Sequence, residues 1–211
     1  MPAPTTPLSR SKSAALSRVL DIIPRGYTRY TSGTIPLVKL PSLVSKLHRI
    51  HLIAASPAQR ITRKKRGKAN AMLSLYLSES ADTVHWLMLF TEGELEAHEK
   101  LRGILDKPRL RWLDYELTRY GHKARTCWTW HRSKEAMQEL YALLDEHLKK
   151  RHWSAVAGML DRIAAQPGFH GVRAQSWRLC QQARQQGYPR ELPYLFYMSK
   201  INHGERIAVS C

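Results

Sequence analysis

The order of periodic segments predicts an α+β fold: an antiparallel sheet of about four strands with packed helices, followed by a C-terminal helical pair. Three observations carry this. Two pairs of strand-like stretches alternate with stretches of helical period. Two more helical stretches follow the second pair, joined by a short turn. Hydrophobic residues make up 43% of the 211, enough for a sizeable core.

Residues 1–33 are rich in Pro, Ser, Thr and Gly and read as a mobile basic tail, with one short apolar helix in AALSRVLDII (14–23). PSLVSKLHRIHLI (41–53) opens on Pro41 and spaces Leu43, Leu47 and Ile50 along one helical face. A basic stretch, QRITRKKRGKAN (59–70), reads as the loop that follows. AMLSLYLS (71–78) alternates, with Leu73, Leu75 and Leu77 on one face, and predicts a strand. TVHWLMLF (83–90) is apolar on both faces, as a strand covered on both sides must be. GELEAHEKLRGIL (93–105) carries acids where a helix would want them in its first turn.

RLRWLDYELTRY (109–120) and RTCWTWHR (125–132) both alternate and predict a hairpin. Ser133 caps KEAMQELYALLDEHLKKR (134–151), whose last turn is basic. These elements define a core over 34–151. The remainder, 152–211, predicts a helical extension and tail packed on that core. Its helices are WSAVAGMLDRIAAQ (153–166) and GVRAQSWRLCQQARQQ (171–186), the second stopped by Gly187.

The formal net charge is +17 and the pI about 10.2. Such an excess favours a polyanionic partner, with nucleic acid first, an anionic membrane surface second and an acidic protein third. Cys127, Cys180 and Cys211 are odd in number and widely spaced, which fits neither a disulfide framework nor a CxxC knuckle. The opening MPAPTTPLSRSKS has no apolar run of the secretory kind, and no stretch approaches a membrane span. The expectation is a cytoplasmic protein with reduced thiols and no membrane partner.

Four features are candidates for function. The basic stretch puts six cations, Arg60, Arg63, Lys64, Lys65, Arg66 and Lys68, into nine positions with no acid among them. Such a cluster neutralises phosphates and releases their counterions, but does not read sequence. Its other outlet is the acidic EGELEAHE of the same chain or another copy. The final helical pair, with Pro167, Gly168 and Gly171 in its turn, has the outline of a helix-turn-helix. There Val172, Trp177, Cys180 and Ala183 are expected to face inward. Arg173, Gln175 and Arg178 are expected to reach phosphates or base edges, alongside Ser176, Gln182 and Arg184.

The third feature is aromatic. Trp128 and Trp130 share a strand face with Arg132, and Tyr76, Trp86 and Trp112 come from neighbouring strands. Left open, they would form a platform for unpaired bases, although helices usually cover large strand aromatics. The fourth is a scatter of histidines, His48, His51, His85, His98, His122 and His131, with Asp114 and Glu116 as a paired acid site. A metal-dependent nuclease or nicking enzyme would draw on such groups, but no HxH, HExxH or close His/Cys constellation exists. RKKRGKAN holds a GK pair without the first glycine or the Ser/Thr of a phosphate loop, which excludes that mode of ATP binding. No cofactor and no metal are expected, and no catalytic residue stands out.

Several stretches carry a resemblance: SPAQRITRKKRGKANA, VHWLMLFTEGE, RLRWLDYELTRYGHKARTCWTWHR, PGFHGVRAQSWRLCQQARQQGY and LPYLFYMSKINHGE. Together they resemble a family of small basic proteins carried on proteobacterial plasmids and integrative conjugative elements, over about residues 27–206. The resemblance implies a bacterial cytoplasm and a role in replication, transfer, maintenance or regulation of a mobile element. It brings no catalytic motif. The expected function is nucleic-acid binding without catalysis, DNA ahead of RNA, with an element-encoded protein as a further partner. The alternatives are the metal-dependent nuclease and a basic protein–protein adaptor.

Overall fold

The computed structural model describes residues 5–97, 99–122, 125–198 and 205–208. The chain divides into two compact units, residues 1–110 with 201–211, and residues 111–200. The domain boundary therefore falls within the stretch read as one core over 34–151. That stretch contributes strands to two separate sheets, so the expectation of a single four-stranded antiparallel sheet is corrected.

The first unit holds β1 (Thr5–Ser9), α1 (Lys12–Ile22), β2 (Tyr27–Pro36), α2 (Leu40–His51), α3 (Pro57–Lys65), β3 (Ala71–Tyr76), β4 (Thr83–Thr91), β5 (Arg102–Gly103) and, last in the chain, β9 (Glu205–Ala208). Its sheet is mixed and six-stranded, in the order β5-β2-β4-β3-β1-β9. β1 runs parallel to β3, and the other neighbours are antiparallel. Leu40, Val44 and Leu47 of α2 bury with Leu73, Leu75, Met88 and Phe90 on one face. α1 lies on β3 from the other side, where Ser74 Oγ donates to the Ala15 carbonyl and Arg18 Nε to that of Leu73. The two-sided cover explains why β4 is apolar throughout: Leu87 and Leu89 are as buried as Met88 and Phe90. Gly33 pairs with Trp86 across β2 and β4, and a Cβ there would stand 2.9 Å from the indole.

The reading of residues 1–33 as a mobile tail is corrected over the described residues 5–33, which supply β1, α1 and most of β2. Ser11 caps α1 by accepting from the Ala14 amide, and Leu16, Val19 and Ile22 are buried. The two strands find their partners more than forty residues away, so nothing local marks them as strands. The helix expected over 93–105 is also absent among the described residues of that range. Gly93 has φ 130°, and Glu94 is bonded to the backbone of residues 67–69. The acids there are engaged by distant cations and His51 rather than by a helix terminus.

The second unit holds β6 (Arg111–Trp112), β7 (Tyr115–His122), β8 (Arg125–Arg132), α4 (Lys134–Lys149), α5 (Trp153–Ala164) and α6 (His170–Gln185). β6, β7 and β8 form an antiparallel sheet in that order, so the predicted hairpin is present as β7 and β8, but the single strand expected over 109–120 is broken by a turn and residues 121–122 belong to β7. Leu113 and Asp114, both with positive φ, make the tight turn between β6 and β7. Ser133 caps α4 through the Ala136 amide. The helices expected at 153–166 and 171–186 form, but with α4 they make one layer around Leu144, Leu148, Val156, Leu160, Leu179 and Cys180. They complete this unit rather than extend a finished core. Gly187, at φ 87°, ends α6 as expected. Among the described residues no helix is long and apolar enough to cross a membrane.

Candidate nucleic-acid interface

The basic stretch is a helix for most of its length, not a loop. Ser56 and Gln59 form a capping box: Ser56 Oγ accepts the Gln59 amide at 3.3 Å, and Gln59 Oε1 accepts the Ser56 amide at 2.8 Å. Pro57 fills the first helical position. Arg63, Lys64 and Lys65 occupy the last turn, where cations complement the helix dipole. The S-x-x-Q signal was in the sequence, but a helix with no buried residue has no apolar period to announce it.

The helix separates the six cations into two groups. Arg63 turns inward, its Nε and Nη2 donating to the Ala69 carbonyl at 3.3 and 2.8 Å and its Nη1 to Glu96 at 3.3 Å. Lys68 Nζ lies 2.9 Å from the same Glu96 oxygen. The hydrogen bond from Lys68, aided by Arg63, holds the Glu96 carboxyl below its ordinary value. The acidic stretch of the same chain thus takes up Arg63 and Lys68. Arg60 is half-buried, with Nη1 against Met72 Sδ. Lys64, Lys65 and Arg66 are exposed and make no ion pair among the described residues.

α3 forms one wall of a cleft of about 490 Å³, whose opposite wall is the turn after α1 that carries Arg25 and Tyr27. Gly26 takes the left-handed conformation, φ 91°, that this turn needs. Burial pushes the Tyr27 phenol up, and the nearby cations, Arg60 first, only partly offset this. Asn70, on the floor, is 6% exposed. Its Nδ2 donates to the Arg60 carbonyl, whereas its Oδ1 is buried with no hydrogen-bond partner.

In the second unit the recognition-helix expectation is corrected. Gln175 Oε1 accepts the Arg132 amide at 2.8 Å, and its Nε2 donates to the Arg132 carbonyl at 3.1 Å. That side chain is a clamp on β8, with both of its polar atoms held by the Arg132 backbone. Arg173 Nε donates to the Leu195 carbonyl, and its guanidinium sits 3.4 Å from the Tyr197 ring centroid. Only Arg178, of the three, is exposed on the surface of α6. Val172, Cys180 and Ala183 are buried as expected, but Ser176 is buried and Trp177 is 50% exposed. The helix is rotated because Arg132 reaches across: its guanidinium donates to Ser176 Oγ and the Val172 carbonyl. Burial lowers the Arg132 pKa from its ordinary value.

The candidate stacking platform on the strands does not stand open. Trp130, Trp112 and Tyr76 are buried, and Arg119 lies 4.4 Å over the Trp128 ring. The exposed aromatics are elsewhere: Trp177 on α6, and Tyr194, Phe196 and Tyr197 in the segment after it. Trp177 and Tyr194 line a groove of about 530 Å³ with His170 and Arg173. The segment has no period, so the sequence marked its aromatic content but not its exposure.

The acid site is not assembled. Asp114 sits in the β6–β7 turn, and Glu116 lies 3.4 Å from Arg111. His51 is buried on Phe90 and bonds Glu99 at 3.1 Å. Burial lowers the pKa of His48. His98 and the side chain of His122 lie outside the described residues. Among the described residues no three His, Cys, Asp or Glu side chains could hold a metal ion together.

No protein-family model matches the chain, and comparisons with curated proteins and with solved structures find no match either.

Proposed function

We propose that this protein binds nucleic acid through its phosphates, without catalysis of its own, in the service of a bacterial mobile element. The observation that carries the reading is the charge left over at the end of α3. Arg63 and Lys68 are matched by Glu96, whereas Lys64, Lys65 and Arg66 are exposed on a chain of net charge +17. Unmatched cations on one rigid helix end suit a polyphosphate backbone. Arg178 is a secondary contact, and DNA is placed ahead of RNA. The mobile-element setting, with replication, transfer, maintenance or regulation as the step served, rests on the family resemblance. So does an element-encoded protein partner in the bacterial cytoplasm.

The test is fluorescence anisotropy with labelled single-stranded DNA, duplex DNA and RNA over a salt series. Binding that weakens steeply with salt supports the reading. Absence of binding to all three at low salt contradicts it. The adaptor is the second reading, favoured by the exposed Trp177, Tyr194 and Phe196, since aromatics beside arginine also suit a protein partner. Salt-insensitive co-purification with one protein would select it.

A further inference from the structure

We propose that the cleft between α3 and the turn after α1 takes one nucleotide unit of the bound strand. The inference rests on the phosphate-binding reading and names the unit that is held. Three features of the cleft meet three parts of a nucleotide. Arg25, Arg60 and Lys64 supply positive charge to its walls, which suits a phosphate. Ile22, Ile61 and Met72 line it with apolar surface, on which the face of a base can rest. Asn70 lines it too and holds a buried carbonyl oxygen with no donor. A buried acceptor of this kind is rare in a folded protein; it is closed to solvent here, and a turn of the amide toward the cleft would present it to a base N–H. The volume of about 490 Å³ falls in the range of small-ligand sites.

Glu92, the one carboxylate among the described residues that line the cleft, does not cancel this. It lies 3.6 Å from Arg29 and accepts from Thr28 Oγ1, so its charge is already answered by partners other than the three cations. Inorganic phosphate alone would satisfy the cations and leave Asn70 and the apolar wall unused. That difference separates a nucleotide site from a general anion site.

The experiment measures the thermal midpoint of the full chain with dAMP, dCMP, dGMP, dTMP, deoxyribose 5-phosphate or inorganic phosphate at matched ionic strength. At least one nucleoside monophosphate is expected to raise the midpoint where the two base-free phosphates do not. The same compound is expected to displace a labelled single-stranded oligonucleotide. Both effects are expected to weaken about tenfold in Arg25→Ala and Ile61→Asp, two exposed positions whose change leaves the core intact. Equal shifts from all the phosphates overturn the nucleotide assignment. A monophosphate that binds without displacing the oligonucleotide overturns the strand assignment. Oligonucleotide binding with no response to any monophosphate overturns the cleft proposal and leaves the phosphate reading standing. Failure of the wild-type chain to bind any oligonucleotide contradicts the reading itself.

Discussion

The Gln175 side chain closes on the backbone of Arg132 from both directions, accepting its amide at 2.8 Å and donating to its carbonyl at 3.1 Å. It thereby joins α6 to β8 as a ladder partner would. Gln175→Ala leaves both backbone groups of a buried residue without that partner. The expected loss is about 1–3 kcal/mol of stability, the cost of stranding buried polar groups. Chemical denaturation measures it. Nucleic-acid affinity under folding conditions should not change, and a large loss of affinity at full stability would return Gln175 to the role of base reader.

Gly171 sits where α6 touches the same strand. Its amide donates to Thr129 Oγ1 at 3.0 Å, and an added Cβ would lie 2.5 Å from the Trp130 carbonyl oxygen and nearer still to the His131 ring. The ring can turn aside, but the carbonyl cannot. Gly171→Ala is therefore expected to cost about 1–3 kcal/mol or more through overpacking. Gly33→Ala, which meets only the movable Trp86 side chain, should cost less. Equal midpoints for the two variants would contradict the assignment.

Tyr115 donates its hydroxyl to Gln166, and burial pushes its phenol up to about 12, with the Asp114 charge adding to the rise and Arg132 opposing it. The folded value lies above the ordinary 10.0. The contribution to stability is therefore complete below pH 10.0 and is lost as pH rises through about 12. Spectrophotometric titration should find a tyrosinate forming near pH 12 that Tyr115→Phe removes. The variant should also lose less stability between those two pH values than the wild type. An unchanged titration curve would place the buried phenol elsewhere.

What was legible in the sequence follows from how local each signal is. β3, β4, β7, β8 and α4 each carry their own period or cap, and Gly187 marks the end of α6. β1 and β2 carry neither, since their burial depends on β3 and β4 far along the chain. The acids of 93–105 mimic a helix start, but their partners are Lys68, Arg63 and His51, which no spacing rule connects to them. The basic cluster was legible as charge. Its division into matched and unmatched cations was not, because that depends on where the chain brings Glu96.

That division makes the most direct test. The measurement is the slope of log affinity against log salt for duplex DNA, taken on three proteins: wild type, a Lys64→Ala, Lys65→Ala, Arg66→Ala triple variant, and Arg63→Ala. Each phosphate contact contributes about 0.9 to the slope. The account predicts that the triple variant flattens it by about 2–3 with little change in stability. Arg63→Ala should instead lower stability, since Arg63 holds the Ala69 carbonyl and Glu96, and leave the slope nearly as it was. A triple variant with an unchanged slope, or an Arg63→Ala slope that falls as far as the triple variant's, would contradict it.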